Sequence, residues 1–178
     1  MDYTAHYDSP LGGITLASDG EALTGLWFDG QKYFADTLGS QHEDCVSLSV
    51  LSETRRWLDI YFSGNIPQFT PFLRFDSTEF RRRVWDILLT IPYGFTLTYG
   101  EIARRMAKQM GIANMSSQAV GGAVGHNPIL IIVPCHRVLG ADGSLIGYAG
   151  GMKRKQALLQ LEKSGFISCG RQGTFLPE

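Results

Sequence analysis

The chain has little cysteine: Cys45, Cys135 and Cys169 are the three in 178 residues. Their number is odd and their spacing matches no zinc pattern. The expectation is therefore free thiols in a reducing compartment, with no disulfide framework and no metal. No apolar run reaches the length of a membrane span, and Met1-Asp2-Tyr3-Thr4-Ala5-His6 lacks the basic-then-apolar pattern of an export signal. These absences point to the cytoplasm and to no membrane partner. There is no internal repeat and no low-complexity segment. Net charge is −1, which by itself does not suggest nucleic acid.

The distribution of charge does. From Met1 to Thr78 there are four Lys/Arg against eleven Asp/Glu, a balance of −7. From Glu79 to Glu178 there are twelve against six, a balance of +6. The length allows one large domain or two small ones, and the split sets a boundary near Ser77-Thr78. Residues 1–78 would form an acidic unit, and residues 79–178 a unit with the sign that binds phosphate.

The first unit reads as small and α+β. Ile14 to Ser18 and Leu23 to Phe28 flank Asp19-Gly20-Glu21-Ala22 as a hairpin, and Tyr3 to Tyr7 could add a third strand. A helix is expected over Leu48 to Phe62, with Leu51, Trp57 or Leu58, and Tyr61 or Phe62 on one face and Gly64 at its end. No catalytic residues converge in this unit, so its expected role is support. The second unit reads as helical. Glu79 to Thr90 places Phe80, Val84, Ile87 and Leu88 at helical spacing. Thr98 and Glu101 form a capping-box pattern ahead of Ile102, Ala103, Met106 and Met110, and Gly111 suits the helix end. A third helix runs from Ser116 or Ser117 to about Gly125 and is stopped by Asn127-Pro128. It contains Gly121, Gly122 and Gly125, although an interior Gly costs about 1 kcal/mol against Ala. Small residues suit either a helix packed tightly on this one or a surface lying against a groove. Two helices and a turn fit a helix-turn-helix. A last helix, Met152 to Lys163, would turn Leu158 and Leu161 inward and carry Lys153, Arg154 and Lys155 at its start.

Pro134-Cys135-His136-Arg137-Val138 follows the unbroken apolar run Ile129 to Val133, which reads as a buried strand. The thiolate is the nucleophilic form of cysteine, and a neighbouring His is one means of favouring it. A Cys-His pair alone is equally a small buried Cys beside a partly exposed His. The wider segment is more specific: Pro134 to Gly140, with Asn127-Pro128 before it and Gly147-Tyr148-Ala149-Gly150-Gly151 after it. From about Phe80 to Gly165 the chain resembles the O6-alkylguanine-DNA alkyltransferases.

That resemblance implies an α+β fold, an RNase H-like sheet-and-helix domain followed by a helix-turn-helix, winged-helix-like domain. It implies a monomer with no cofactor, acting in the cytoplasm at the nucleoid on double-stranded DNA containing O6-alkylguanine. The base is flipped from the duplex, and its alkyl group moves irreversibly to Cys135, once per molecule. O4 of thymine is open as a second alkyl source. By the same resemblance His136 is the base, acting through a water, and Glu162 orients it. Tyr99 donates to the departing guanine, and Asn127 braces the active-site segment. The Tyr148-Ala149-Gly150-Gly151 loop forms one wall of the base pocket, Tyr148 covers the base, and backbone groups at Cys135, Val138 and Ala149 read its edge. Gln118, Ala119, Gly121 and Gly122 face DNA; the charge split, apart from the resemblance, makes Arg137, Arg104, Arg105 and Lys153 to Lys155 the first candidates for DNA phosphate contacts. Two departures stand out. Gln118 occupies the position of an Arg that enters the base stack in many relatives, and the turn around Lys108 to Met115 is longer than in several. Some relatives hold zinc in the first domain; Cys45, His6 and His42 do not fit such a site. Two other readings remain: a lesion-binding relative that does not transfer, in which Trp typically replaces the cysteine, and a thiol hydrolase that turns over.

Overall fold

Alternating apolar positions early in the chain form β1 (Asp2–Ser9), β2 (Gly12–Ser18) and β3 (Leu23–Phe28). This is a computed structural model, and it describes residues 1–165; Cys169 lies outside them. β1 pairs with β2 and β2 with β3, both antiparallel, with Leu16 opposite Leu26. Asp19 closes the second hairpin: its Oδ1 accepts from the backbone N–H of Glu21 at 3.0 Å and of Ala22 at 2.9 Å. β4 (His42–Asp44) extends the sheet beside β1 in parallel, giving the order β3-β2-β1-β4. It had no apolar pattern by which to be predicted, since all three residues are exposed.

Helix α1 (Ser49–Phe62) packs on this sheet through the periodic face expected of it, with Leu51, Leu58 and Tyr61 fully buried. Helices α2 (Glu79–Leu89), α3 (Tyr99–Met110) and α4 (Ser117–Gly125) pack on one another. Both halves of the Thr98–Glu101 capping box are present, and Gly111 takes the left-handed conformation at the end of α3. Met110, expected on the apolar face, is instead 44% exposed, and Ala107 takes the inward position. Trp85 anchors the back of α4, donating its indole N–H to the Ala123 carbonyl at 2.8 Å. The short parallel pair β5 (Leu97–Thr98) and β6 (Val138–Leu139) ties the start of α3 to the segment after Cys135. Helix α5 (Met152–Ser164) follows.

The run Ile129 to Val133 is fully or nearly buried, but it is not a strand. It turns back on itself: the N–H of Ile132 donates to the Leu130 carbonyl at 2.8 Å, and that of Val133 to the Ile129 carbonyl at 3.1 Å. Ile131 has φ 69, a left-handed conformation that costs a β-branched residue roughly 1–3 kcal/mol. The edge of the N-terminal sheet holds this turn. Leu26 donates to the Pro128 carbonyl at 2.9 Å and accepts from the N–H of Leu130 at 3.0 Å. A single hydrophobic core joins the two units across this contact.

Candidate active site

Cys135 begins a single 3-10 turn, Cys135–Arg137, rather than ending a strand. Its position is set by Asn127. The Asn127 Oδ1 accepts from the N–H of Ile129 at 2.9 Å, while Nδ2 donates to the Val133 carbonyl at 2.8 Å and to Cys135 Sγ at 3.2 Å. One buried side chain thus staples both ends of the strained turn and touches the sulfur, which is more than a simple helix stop. Cys135 is 3% exposed. Burial pushes its thiol up to about 11, against the opposing pull of Asn127 and the Lys155 ammonium. At neutral pH the resting site therefore holds a thiol.

Three residues per turn point Cys135 and His136 roughly 120° apart, so the two side chains diverge. His136 is fully buried and directs Nε2 to Glu162 Oε1 at 2.7 Å. Burial lowers the His136 pKa, and the Arg137 and Lys155 cations act with burial against the pull of Glu162. The imidazole is therefore neutral, with its proton on Nε2, as assigned from this partner. Nδ1 is left as the acceptor, buried and with no hydrogen-bond partner among the described residues.

Glu162, read from sequence alone as a surface residue, is buried on α5. Arg137 Nε lies 2.9 Å from Oε2, and Nη2 lies 2.9 Å from Oε1. Burial would raise the carboxyl, but the bonds from His136 and Arg137 outweigh it and hold it at about 2. Because His136 is neutral, the cation responsible is Arg137. Gly94 adds a backbone N–H at 3.2 Å and Tyr61 its hydroxyl at 2.8 Å. Tyr61 belongs to α1 in the N-terminal unit, and sequence reasoning missed it. Its only signal was membership of a buried helix face, which is what any core aromatic shows.

Arg137 was expected at DNA phosphates. It is instead turned inward, 8% exposed, with Nη1 donating to the Ile91 carbonyl at 2.6 Å. Two of the other expected phosphate contacts are also turned inward. Arg154 Nε donates to the Leu11 carbonyl at 2.9 Å and its guanidinium lies over the Phe28 ring. The Lys155 ammonium donates to the carbonyls of Val138 at 2.5 Å and Ile146 at 2.8 Å. Burial lowers the Lys155 pKa to about 8, while nearby Cys135 raises it. Arg104, Arg105 and Lys153 remain exposed.

A cavity of about 410 Å³ adjoins this cluster, lined among others by Tyr99, Gly121, Gly122, Tyr148 and Ala149 from the expected set and by Tyr33 from the N-terminal unit. The Tyr99 hydroxyl donates to the Ile146 carbonyl at 3.1 Å, and burial pushes its pKa up to about 12, with Cys135 adding to the rise. The Tyr148 hydroxyl is buried without a partner among the described residues. Gly150 has no room for a side chain: a Cβ would come within 2.7 Å of the Tyr148 ring and 3.1 Å of Phe28. The Val138 carbonyl already serves Lys155, and the Ala149 carbonyl accepts from the N–H of Lys32 at 3.1 Å. On α4, Gln118, Ala119 and Gly122 are exposed and Gly121 is half-buried. Among the described residues, a Cβ at Gly122 or Gly125 would meet nothing within 4 Å. No neighbouring helix among them requires these two glycines, which leaves a smooth outward face.

The fold and site define a class: a two-part α+β protein in which a helix-turn-helix with a small-residue face adjoins a buried, hydrogen-bonded cysteine. The ribonuclease-like domain of 6-O-methylguanine DNA methyltransferase matches residues 3–76, and the DNA binding domain of the same family matches residues 79–164. The chain belongs to the 6-O-methylguanine DNA methyltransferase family. The methylated-DNA–protein-cysteine methyltransferase of Mycobacterium leprae is 48% identical over 163 residues, 92% of this chain and 93% of the relative. The Haemophilus influenzae protein of that name is 38% identical over 173 residues, 97% of this chain and 92% of the relative. Among solved structures, Mycobacterium tuberculosis OGT in complex with DNA matches with a TM-score of 0.81 at 45% identity, covering 93% of this chain and 96% of that one.

Proposed function

We propose that the protein repairs DNA by moving methyl or other small alkyl groups from O6 of guanine onto Cys135, once per molecule. The observation that carries this is the Asn127–Cys135 contact beside a neutral His136 whose Nδ1 is open and whose Nε2 is held by Glu162. The relatives' names support the reaction class, and the smooth outward face of α4 supports duplex DNA as the partner. The protein works as a monomer at the nucleoid, where the cytoplasm keeps Cys135 reduced.

The resting thiol must lose its proton for attack. His136 Nδ1 takes it through a water molecule, because the two side chains diverge on the 3-10 turn. Asn127 Nδ2 and the Lys155 ammonium stabilise the sulfur anion as it forms. The sulfur then attacks the alkyl carbon: an S–C bond forms as the C–O6 bond breaks, and the bonding pair leaves on guanine. Tyr99, too weak an acid to lose its proton in the resting site, shifts its hydrogen bond from the Ile146 carbonyl to the departing base. The proton count closes when His136 returns the thiol proton to water and the departing guanine takes one up. In net terms the alkyl group has moved to sulfur and a proton to guanine, and the thioether persists. Tyr148 and the backbone of Ala149 and Gly150 border the base, while Gln118, Ala119, Gly121 and Gly122 meet the DNA. The flipped base costs a few kcal/mol of stacking and pairing.

Cys135→Ser tests the assignment. It should bind duplex DNA as the wild type does and lose transfer, since the DNA-facing surface is untouched and a hydroxyl is the weaker nucleophile. Transfer that survives this change contradicts the reading.

A further inference from the structure

Glu162 draws its donors from separate parts of the chain. His136 and Arg137 come from the 3-10 turn, Gly94 from the loop after α2, and Tyr61 from α1. Tyr61 is fully buried, stacked on Trp57 with ring centroids 5.3 Å apart, and edge-on to His136 at 6.5 Å. Its hydroxyl lies 2.8 Å from Glu162 Oε1 and 3.5 Å from His136 Nε2. We propose that Tyr61 is a positioning residue of the cysteine site. By donating to the same carboxylate oxygen that receives His136 Nε2–H, it limits the charge Glu162 offers the imidazole and keeps Nδ1 as the nitrogen that takes the thiol proton. The inference rests on the alkyl-transfer reading above and gives the N-terminal unit a part in the chemistry beyond support.

The Glu162 carboxylate shares its charge among several donors. Oε1 accepts from His136, from Tyr61 and from Arg137, and Oε2 from Arg137 and Gly94. Each donor spreads the carboxylate charge. A carboxylate with fewer donors pulls harder on Nε2–H and favours the imidazolium. An imidazolium has protons on both nitrogens and no acceptor left for the thiol. The groups facing His136 are Glu162 and Lys155 from α5, Arg137 and Cys135 beside it, Tyr61 from α1, and Tyr148 from the loop before α5. Glu162 favours the imidazolium, whereas burial, Arg137 and Lys155 oppose it. Among the described residues, Tyr61 is the neutral side chain besides His136 itself that donates to Glu162, so removing its hydroxyl shifts this balance without removing a charge. Burial and the adjacent carboxylate raise the Tyr61 hydroxyl well above its ordinary range, so it stays a donor.

The test is the single-turnover rate of transfer from O6-methylguanine duplex DNA as a function of pH, with the His136 ring followed by nitrogen NMR of labelled histidine. In Tyr61→Phe the imidazole should titrate at higher pH, the acidic limb of the rate profile should move up, and the rate on that limb should fall by roughly three- to tenfold, up to one pKa unit. The plateau should change little. Leu58→Ala loosens α1 without touching Glu162; it should lower the unfolding midpoint and leave the limb in place. Fluorotyrosine at position 61, with fluorine beside the hydroxyl, keeps the ring and strengthens the donor, so it should move the limb down; it decides the matter if Tyr61→Phe does not fold. A limb and imidazole titration that stay in place in the folded Tyr61 variants overturn the proposal. If the wild type transfers nothing, the functional reading fails, and the His136 titration still decides what Tyr61 does.

Discussion

Arg137→Met separates an internal role for this arginine from a role at DNA. The guanidinium gives two nitrogens to Glu162 and a third to the Ile91 carbonyl, from a residue 8% exposed. Methionine keeps an apolar stem and removes the charge and every donor. Glu162 is then a buried anion held by neutral groups. Breaking a buried pair in this way costs about 3–5 kcal/mol. With a urea slope of about 1–3 kcal/mol per molar, the unfolding midpoint should fall by about 2 M. Acid unfolding gives a second readout. The folded Glu162 carboxyl is held at about 2, below the ordinary value of about 4.3. It therefore contributes stability that is present above about pH 4.3 and lost as pH falls toward about 2. In Arg137→Met the folded value rises toward the ordinary one, so this contribution shrinks and its loss is complete at a higher pH. The third readout is affinity for undamaged duplex against salt. Each phosphate contact contributes about 0.9 to the slope of log affinity against log salt. Arg137→Met should leave that slope unchanged, whereas Arg105→Ala, on the exposed face of α3, should make it shallower. A variant as stable as the wild type but with a shallower slope would refute the internal assignment.

Asn127→Ala removes three buried hydrogen bonds and leaves the N–H of Ile129 without its partner. At about 1–3 kcal/mol for each group stranded, it should lower stability measurably in urea, and the thiol should react with iodoacetamide only at higher pH than in the wild type. Gln118→Ala should slow repair of duplex more than reaction with free O6-alkylguanine, because base flipping is needed only in the duplex; Gln118→Arg should preserve or raise the duplex rate. Equal slowing of both substrates by Gln118→Ala would reduce Gln118 to a packing residue.

Elements governed by neighbours in sequence were legible. The Thr98–Glu101 box, Gly111, the hairpin around Asp19 and the face of α1 each declare themselves within a few residues. The run Ile129 to Val133 misled because β-branched residues read as strand, while its shape depends on the Asn127 side chain and on Leu26, far away in sequence. The basic residues misled for a related reason. Counting Arg137, Arg154 and Lys155 gives the sign of the second unit but not the direction of each side chain, and all three turn inward to a carboxylate or to carbonyls. Cys135, His136 and Asn127 could be picked out because they lie close together in a specific segment. Glu162 needed the family pattern, and Tyr61, whose partner is on α5, was legible from neither.

The central claim is that Cys135 accepts the alkyl group and keeps it. Intact-mass analysis and peptide mapping after incubation with excess O6-methylguanine duplex DNA test it directly. The account predicts a gain of one methyl group per molecule, located on Cys135, with repair ceasing at one equivalent. Continued turnover, or the methyl group on Cys45 or Cys169, would contradict it.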